Sequence, residues 1–191
     1  MKSLKHNLRD NEKEKLKLLF NSSGSNLKFL AYEVDLTTTE IRDGLGAKTL
    51  LKTREAEVLW ILLAHFSRAE PREKTGKLVD FRDLPGGHAY EKAFLQRTVQ
   101  PISENFGEEP ETLVRAGELL GGVARTYGDV SIEIPTLPQI PLTYILWEKG
   151  EFPASANVLF DESASHFLPT EDLAVLAEIT TSRLKEAQSS L

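Results

Sequence analysis

The sequence predicts an α+β fold, a single domain with a mostly antiparallel sheet packed against helices, one of them a central buried helix at about residues 54–68. Three observations predict it. Strand-like segments follow one another late in the chain instead of alternating with helices, so the βαβ rhythm of a doubly wound sheet is missing. Val130, Ile132 and Ile134 alternate with Ser131 and Glu133, the period of a strand with one face on a core. Arg54 to Arg68 holds good helix formers around Val58 to Ala64, with apolar side chains on nearly every face.

The other elements follow in order. Residues 1–25 read as an amphipathic helix and a loop, because Leu4, Leu8, Leu16, Leu19 and Phe20 fall at helical spacing before Asn21-Ser22-Ser23-Gly24-Ser25 breaks the pattern. Residues 26–191 form the main body. Leu27 to Leu36 and Thr38 to Arg42 are rich in β-branched and aromatic residues and suit two adjacent strands. Lys77 to Arg82 reads as a short strand that Leu84-Pro85-Gly86-Gly87 turns into a helix over about His88 to Phe106. Leu95, Val99, Ile102 and Phe106 define the expected inner face of that helix, and Pro101 is expected to kink it. Pro110 opens a helix with Leu113, Ala116 and Leu120 inward, and Gly121-Gly122 closes it. Leu142 to Trp147 and Asn157 to Phe160 add two strands. The last helix opens at Thr170 and buries Leu173, Leu176, Ala177, Thr180 and Leu184.

Composition excludes several classes of function. With 23 basic against 29 acidic residues the net charge is −6, and the basic residues near the N-terminus are interleaved with acids, so no nucleic-acid partner is expected. No cysteine is present, which removes thiolate ligands, disulfides and thiol catalysis together and fits a reducing cytoplasm. The longest apolar run, Val58 to Ala64, is far short of the ~20 residues a bilayer requires, and the N-terminus has no apolar signal core, so no membrane contact is expected.

Candidate sites are few. Gly86 and Gly87, entering a helix after a strand, offer free backbone N–H groups to an anion, although a turn with φ > 0 is the commoner reason for such a pair. His88 and His166 sit beside turns and, with Asp129 and Asp161, have donor types that suit a nitrogen and oxygen metal site, but no pair has i,i+4 spacing. His65 is expected to be a core histidine bonded to a carbonyl. Trp147, with Glu148, Glu151 and the nearby Asp161, places an indole beside carboxylates at a strand end. That arrangement suits a small-molecule pocket with a general acid, or the plain edge of a core. Asp161 before Glu162-Ser163 also has the form of a helix cap. No G-x-S-x-G motif occurs and no triad is assigned.

Gly76-Lys77, Leu84-Pro85-Gly86-Gly87, Phe94, Leu119-Leu120-Gly121-Gly122, Gly128-Asp129, Pro138 with Pro141, Trp147, Glu151-Phe152-Pro153, Leu159-Phe160-Asp161 and Leu168-Pro169-Thr170-Glu171-Asp172 run in an order and spacing that resemble the domain of unknown function 3786 family. The resemblance spans about Lys52 to Leu184. It implies a prokaryotic, anaerobe-associated cytoplasmic domain, which in some relatives stands beside a cysteine-rich iron–sulfur segment that this chain lacks. Lys149 and Gly150 depart from the acidic run that the family tends to have after the Trp. Polar candidates for a shared site are His88, Asp129, Glu151 and Asp161. The expected function is a ligand-binding or accessory module linked to redox or cofactor metabolism, with a small-molecule ligand or a redox protein as partner and its working surface near the Gly-Gly turn and Trp147. The alternative is a small enzyme with Asp129, Glu151 or Asp161 as acid or base near Trp147, which requires those loops to converge. Neither reading specifies a cofactor or an oligomeric state.

Overall fold

The computed structural model describes residues 8–46 and 49–191. Leu4 and His6 lie outside the described residues. The chain opens with helix α1 (Asp10–Leu19), followed by strands β1 (Asn26–Phe29), β2 (Tyr32–Asp35), β3 (Glu40–Asp43) and β4 (Thr49–Leu50), which pair in sequence order as an antiparallel meander. Helix α2 (Thr53–Phe66) leads to β5 (Leu78–Asp80) and a helical stretch made of α3 (Glu91–Phe94), a π-helical turn (Leu95–Val99) and α4 (Gln100–Phe106). Next come α5 (Glu111–Leu119), β6 (Val123–Arg125), β7 (Val130–Leu137), β8 (Ile140–Trp147), β9 (Ser155–Asp161) and the closing helix α6 (Thr170–Gln188). The second sheet is antiparallel throughout, in the order β5-β9-β8-β7-β6. The α+β class stands, with two antiparallel sheets where the sequence predicts one. A continuous hydrophobic cluster runs from Leu16 and the first sheet through α2 and the second sheet to α6.

The stretch Leu27 to Leu36 is a hairpin and not the single strand its composition predicts. Leu30 and Ala31 form its two-residue loop, with φ of 49° and 59°. Neither residue is a turn former, and left-handed backbone costs a side chain about 1–2 kcal/mol per residue. Tertiary contacts hold the loop in place. Leu30 is buried, its carbonyl accepts the Arg183 Nε–H at 3.1 Å, and the Ala31 carbonyl accepts the Gly44 N–H at 2.7 Å. A Cβ on Gly44 would stand 2.5 Å from that Ala31 oxygen, so the close approach requires glycine.

Helix α2 buries Leu59, Trp60, Leu62, Leu63 and Phe66 but leaves Ile61 37 % exposed. One edge of it is therefore open, contrary to an all-round buried helix. The element covered on both faces is β8, in which every residue from Ile140 to Leu146 is buried. Its neighbour β7 likewise buries Ser131, so the expected one-sided strand is covered on both sides there.

The inner face of the helical stretch before Gly107 also differs from expectation. Phe94, Thr98, Ile102 and Phe106 are buried while Leu95 is 42 % exposed. The π turn at Leu95–Val99 is the cause: it adds a residue to one turn and moves the inner face one position back. It lies just before Pro101, and a wide turn is a standard relief for a proline ring that meets the carbonyl four residues earlier. The end of α5 follows its sequence signal. Gly121 has φ of 82° and donates to the Glu118 carbonyl, and Gly122 donates to that of Gly117.

Helix α6 is tied to the first sheet by Arg183, 1 % exposed. Its guanidinium bonds both carboxylate oxygens of Asp43 at 2.6 and 3.0 Å and Glu186 at 2.6 Å, and lies 4.3 Å from the centre of the Tyr32 ring. Burial opposes the charge on Asp43, yet the paired guanidinium bonds outweigh it and hold the carboxyl below its usual range. Replacing Arg183 with Leu leaves Asp43 without its charged partner and the Leu30 carbonyl without the Nε–H, and we expect a loss of about 3 kcal/mol or more in urea denaturation. Arg183→Lys should recover only part of this, because an ammonium cannot form the fork. A loss under about 1 kcal/mol for Arg183→Leu would show that the pair is not essential.

Candidate functional site

The Leu84-Pro85-Gly86-Gly87 segment is a structural joint. Gly86 is left-handed with φ of 77°, Gly87 donates to the Leu84 carbonyl, and a Cβ on Gly87 would stand 2.0 Å from the Phe81 carbonyl oxygen. The Thr170 hydroxyl donates to the Pro85 carbonyl at 2.6 Å, fastening the turn to the start of α6. Beneath it Phe81 and Phe94 stack with ring centres 4.1 Å apart. His88, beside the turn, points outward with its side chain 89 % exposed, and its nearest charged partner is Glu91 at 3.8 Å.

Asp161 is the most completely satisfied of the candidates. It is 2 % exposed, and its two oxygens accept five bonds: from the Ser163 N–H and hydroxyl, the Thr75 N–H and hydroxyl, and the Gly76 N–H. Burial pushes this carboxyl up, but the Ser163, Thr75 and Gly76 donors prevail and hold it at about 2. The cap suggested by Asp161-Glu162-Ser163 is present, since Asp161 caps the 3₁₀ helix Glu162–His166. The same carboxylate also pins the residues entering β5, an attachment invisible in sequence.

Asp129 accepts the Glu148 N–H at 2.9 Å and its own N–H reaches the Leu146 carbonyl, so it secures the end of β8. Gly128 before it has φ of 59°, and a Cβ there would meet Ile145, Leu146 and Trp147. Glu151 lies in an exposed turn where Gly150 donates to the Phe152 carbonyl and Lys149 pairs with Glu108 at 2.7 Å. That turn lines a separate groove with Glu104 and Phe152. Glu151 therefore faces a groove that neither Asp129 nor Asp161 lines. Among the described residues no three His, Asp or Glu side chains are gathered as metal ligands.

Trp147 does face a concavity, of about 710 Å³. By strand alternation Trp147, Ile145, Asn157, Leu159 and Asp80 share the face of the second sheet opposite to Tyr144, Val158 and Phe160. The apolar wall is Trp147, 40 % exposed, with Ile145, Leu159 and Pro85, and the polar wall holds Lys77, Asp80, Asp83, Glu162 and His166. Asn157 donates to Asp80 at 2.8 Å, and Lys77 pairs with Glu162 at 2.6 Å. The Glu162 bond raises the Lys77 ammonium above its ordinary value. The structure thus brings Trp147 together with the Leu84-Pro85 turn, while Gly86, Gly87, His88, Asp129, Glu151 and Asp161 lie outside this concavity. Asp80 and Asp83 escape a reading of the sequence because a carboxylate in a short strand and turn looks solvated. Thr143, on the same sheet face, is fully buried, and its hydroxyl has no partner among the described residues.

His65, expected to bond a carbonyl, instead places Nδ1 2.5 Å from the Asp172 carboxylate. Asp172 lies in the first turn of α6, where an acid is favoured by the helix dipole.

The Asp161 geometry predicts an acid-sensitive joint. Its carboxyl is lower in the folded chain than its ordinary value of 3.8, so the stability it adds is present above pH 4 and is lost as pH falls toward about 2. Asp161→Asn should cost roughly 2 kcal/mol at neutral pH and flatten the fall in urea-measured stability between pH 4 and 2. An unchanged slope would contradict the assignment.

No helix among the described residues is long and apolar enough to cross a membrane. Comparison with curated proteins and with solved structures gives no match. The family model described as Domain of unknown function (DUF3786) matches residues 12–183, extending the resemblance some forty residues toward the N-terminus to include most of α1 and the first sheet. A match over nearly the whole chain establishes the relationship, and the protein belongs to the DUF3786 family.

Proposed function

We propose that this chain is a ligand-binding or accessory module whose working surface is the concavity between the Leu84-Pro85 turn and Trp147. The observation that supports it most is the composition of that surface. A half-exposed indole with Ile145, Leu159 and Pro85 forms one wall, and five ionisable groups face it across about 710 Å³, a size and a mixture typical of sites for small organic molecules. A flat, conjugated ligand suits the indole, and Asp80, Asp83, Glu162 and Lys77 offer it both acceptors and a donor. The finer reading places the module in redox or cofactor metabolism in the cytoplasm of a prokaryote, and it rests on the family resemblance.

Thermal shift screening with flavins, corrinoids and nucleotides tests the proposal. A ligand present at about 100 times its Kd should raise the melting temperature by about 5 °C or more. Binding should also quench the Trp147 emission, which is distinguishable from that of buried Trp60 in a Trp60→Phe background. Trp147→Ala should keep the fold and lose the shift. Failure of every ligand class, or equal stabilisation of Trp147→Ala, would remove this function.

A further inference from the structure

His65 and Asp172 come from segments 107 residues apart and meet beside a concavity of about 410 Å³ that His65 lines and that neither Asp172 nor Trp147 lines. The two concavities share Ser165 and His166 as a common wall. The Asp172 side chain is 15 % exposed and the His65 side chain 36 %, so the carboxylate sits inward and the ring opens outward. A carboxylate can only accept, so the short bond requires the hydrogen on Nδ1, which leaves Nε2 of the neutral ring as a bare acceptor. A base held by a buried orienting carboxylate, with its other nitrogen free, is the arrangement that general-base catalysis needs.

The surroundings specify the kind of molecule that fits. Arg68 lines the same concavity, and Arg72 donates to His166 Nε2 at 3.1 Å without an ion pair to any described carboxylate. An imidazole that accepts from a guanidinium is neutral, so the Arg72 charge is uncompensated. Arg68 is drawn toward Glu12, whose carboxylate it helps to lower. The charged and titratable groups around His65 are therefore Asp172 on α6, Arg68 in the turn after α2 with Glu12 beyond it, and His166 with Arg72 from the segments flanking β5 and β9. Apart from Asp172, already bound to His65, and the more distant Glu12, they favour an anion. Pro169 lines the concavity just before α6, and no side chain caps that helix, so the unpaired N–H groups of its first turn adjoin the site.

We propose that His65 is the general base of a hydrolytic site for carboxylic esters that carry a second, anionic group, with Asp172 as its positioning residue. Ser165 lines the concavity but makes no hydrogen bond to His65, so the nucleophile is water. His65 Nε2 takes a proton from the water, whose oxygen bonds to the ester carbonyl carbon. The C–O bond to the leaving alcohol then breaks, and the alkoxide takes the proton back from Nε2. One ester and one water give one acid and one alcohol, with the anionic group held by Arg68 and Arg72. The site adjoins the Trp147 concavity at Ser165 and His166, and the proposal does not require a ligand there.

The test uses the full chain and the mono-4-nitrophenyl ester of succinate, with 4-nitrophenyl acetate as the neutral comparison. The wild type should hydrolyse the succinate ester above buffer and in preference to the acetate, with one ionisation on the acid limb of its pH profile. His65→Gln should lose about 100-fold or more and lose that limb. Arg72→Gln, at an exposed position, should raise KM for the succinate ester at unchanged kcat. Long-range nitrogen–proton NMR of the neutral ring should place the hydrogen of His65 on Nδ1 in the wild type and show a mixture of the Nδ1–H and Nε2–H tautomers in Asp172→Asn. Hydrolysis no faster than buffer, equal rates in folded His65→Gln, or a wild-type ring protonated only on Nε2 would each overturn the proposal. If His65→Gln fails to fold, the Arg72 variant and the NMR of the wild type decide. Loss of ligand stabilisation in Trp147→Ala would leave this result untouched.

Discussion

The buried guanidinium of Arg183 is the constraint on which the arrangement of the two sheets depends. It is the largest fully buried side chain among the described residues, a full charge almost entirely withdrawn from solvent. Such a group is tolerated only where every donor is answered. Asp43 at the end of β3, the Leu30 carbonyl in the hairpin loop and Glu186 one turn along α6 supply the acceptors, with the Tyr32 ring beneath. The left-handed Leu30-Ala31 loop follows from this demand, since that conformation turns the Leu30 carbonyl toward Nε.

Much of the fold was legible where local chemistry and the final structure agree. Helix α6 starts at Thr170 with Glu171 and Asp172 in its first turn and buries the residues that its period indicates. Helix α5 ends on Gly121-Gly122 for the reason glycines end helices. The unreadable parts are those decided by distant partners. Leu30-Ala31 has no turn residue, so a hairpin reads as one strand. In isolation Arg183 stands among Ser182, Lys185 and Glu186 and reads as a surface residue. The π turn is a compromise between Pro101 and the packing of Phe94 against Phe81 and Phe160, and periodicity alone assumes an unbroken helix.

The candidate sites divide in the same way. Trp147 was legible as an aromatic beside carboxylates at a strand end, and it lines a concavity of about 710 Å³. Asp161 and Gly87 were legible as well, but with structural roles, because their polar groups and space are fully used by neighbours. Asp80 and Glu162 belong to the Trp147 face only because β5 pairs with β9, a contact between segments about 80 residues apart that no local pattern reports. The partnership of His65 with Asp172 likewise depends on α2 and the start of α6 being neighbours, which the linear chain conceals.

The dependence of the Leu30-Ala31 hairpin on a donor 153 residues downstream also bears on biogenesis. A ribosome releases the chain from its N-terminus, so the meander emerges long before the guanidinium that fixes its loop. Until the last helix leaves the exit tunnel the early hairpin has only its weak intrinsic pairing, and isolated hairpins in water are marginal. Maturation of the meander therefore waits until α6 has been made, and a chain truncated before residue 183 should be a client of chaperones and proteases.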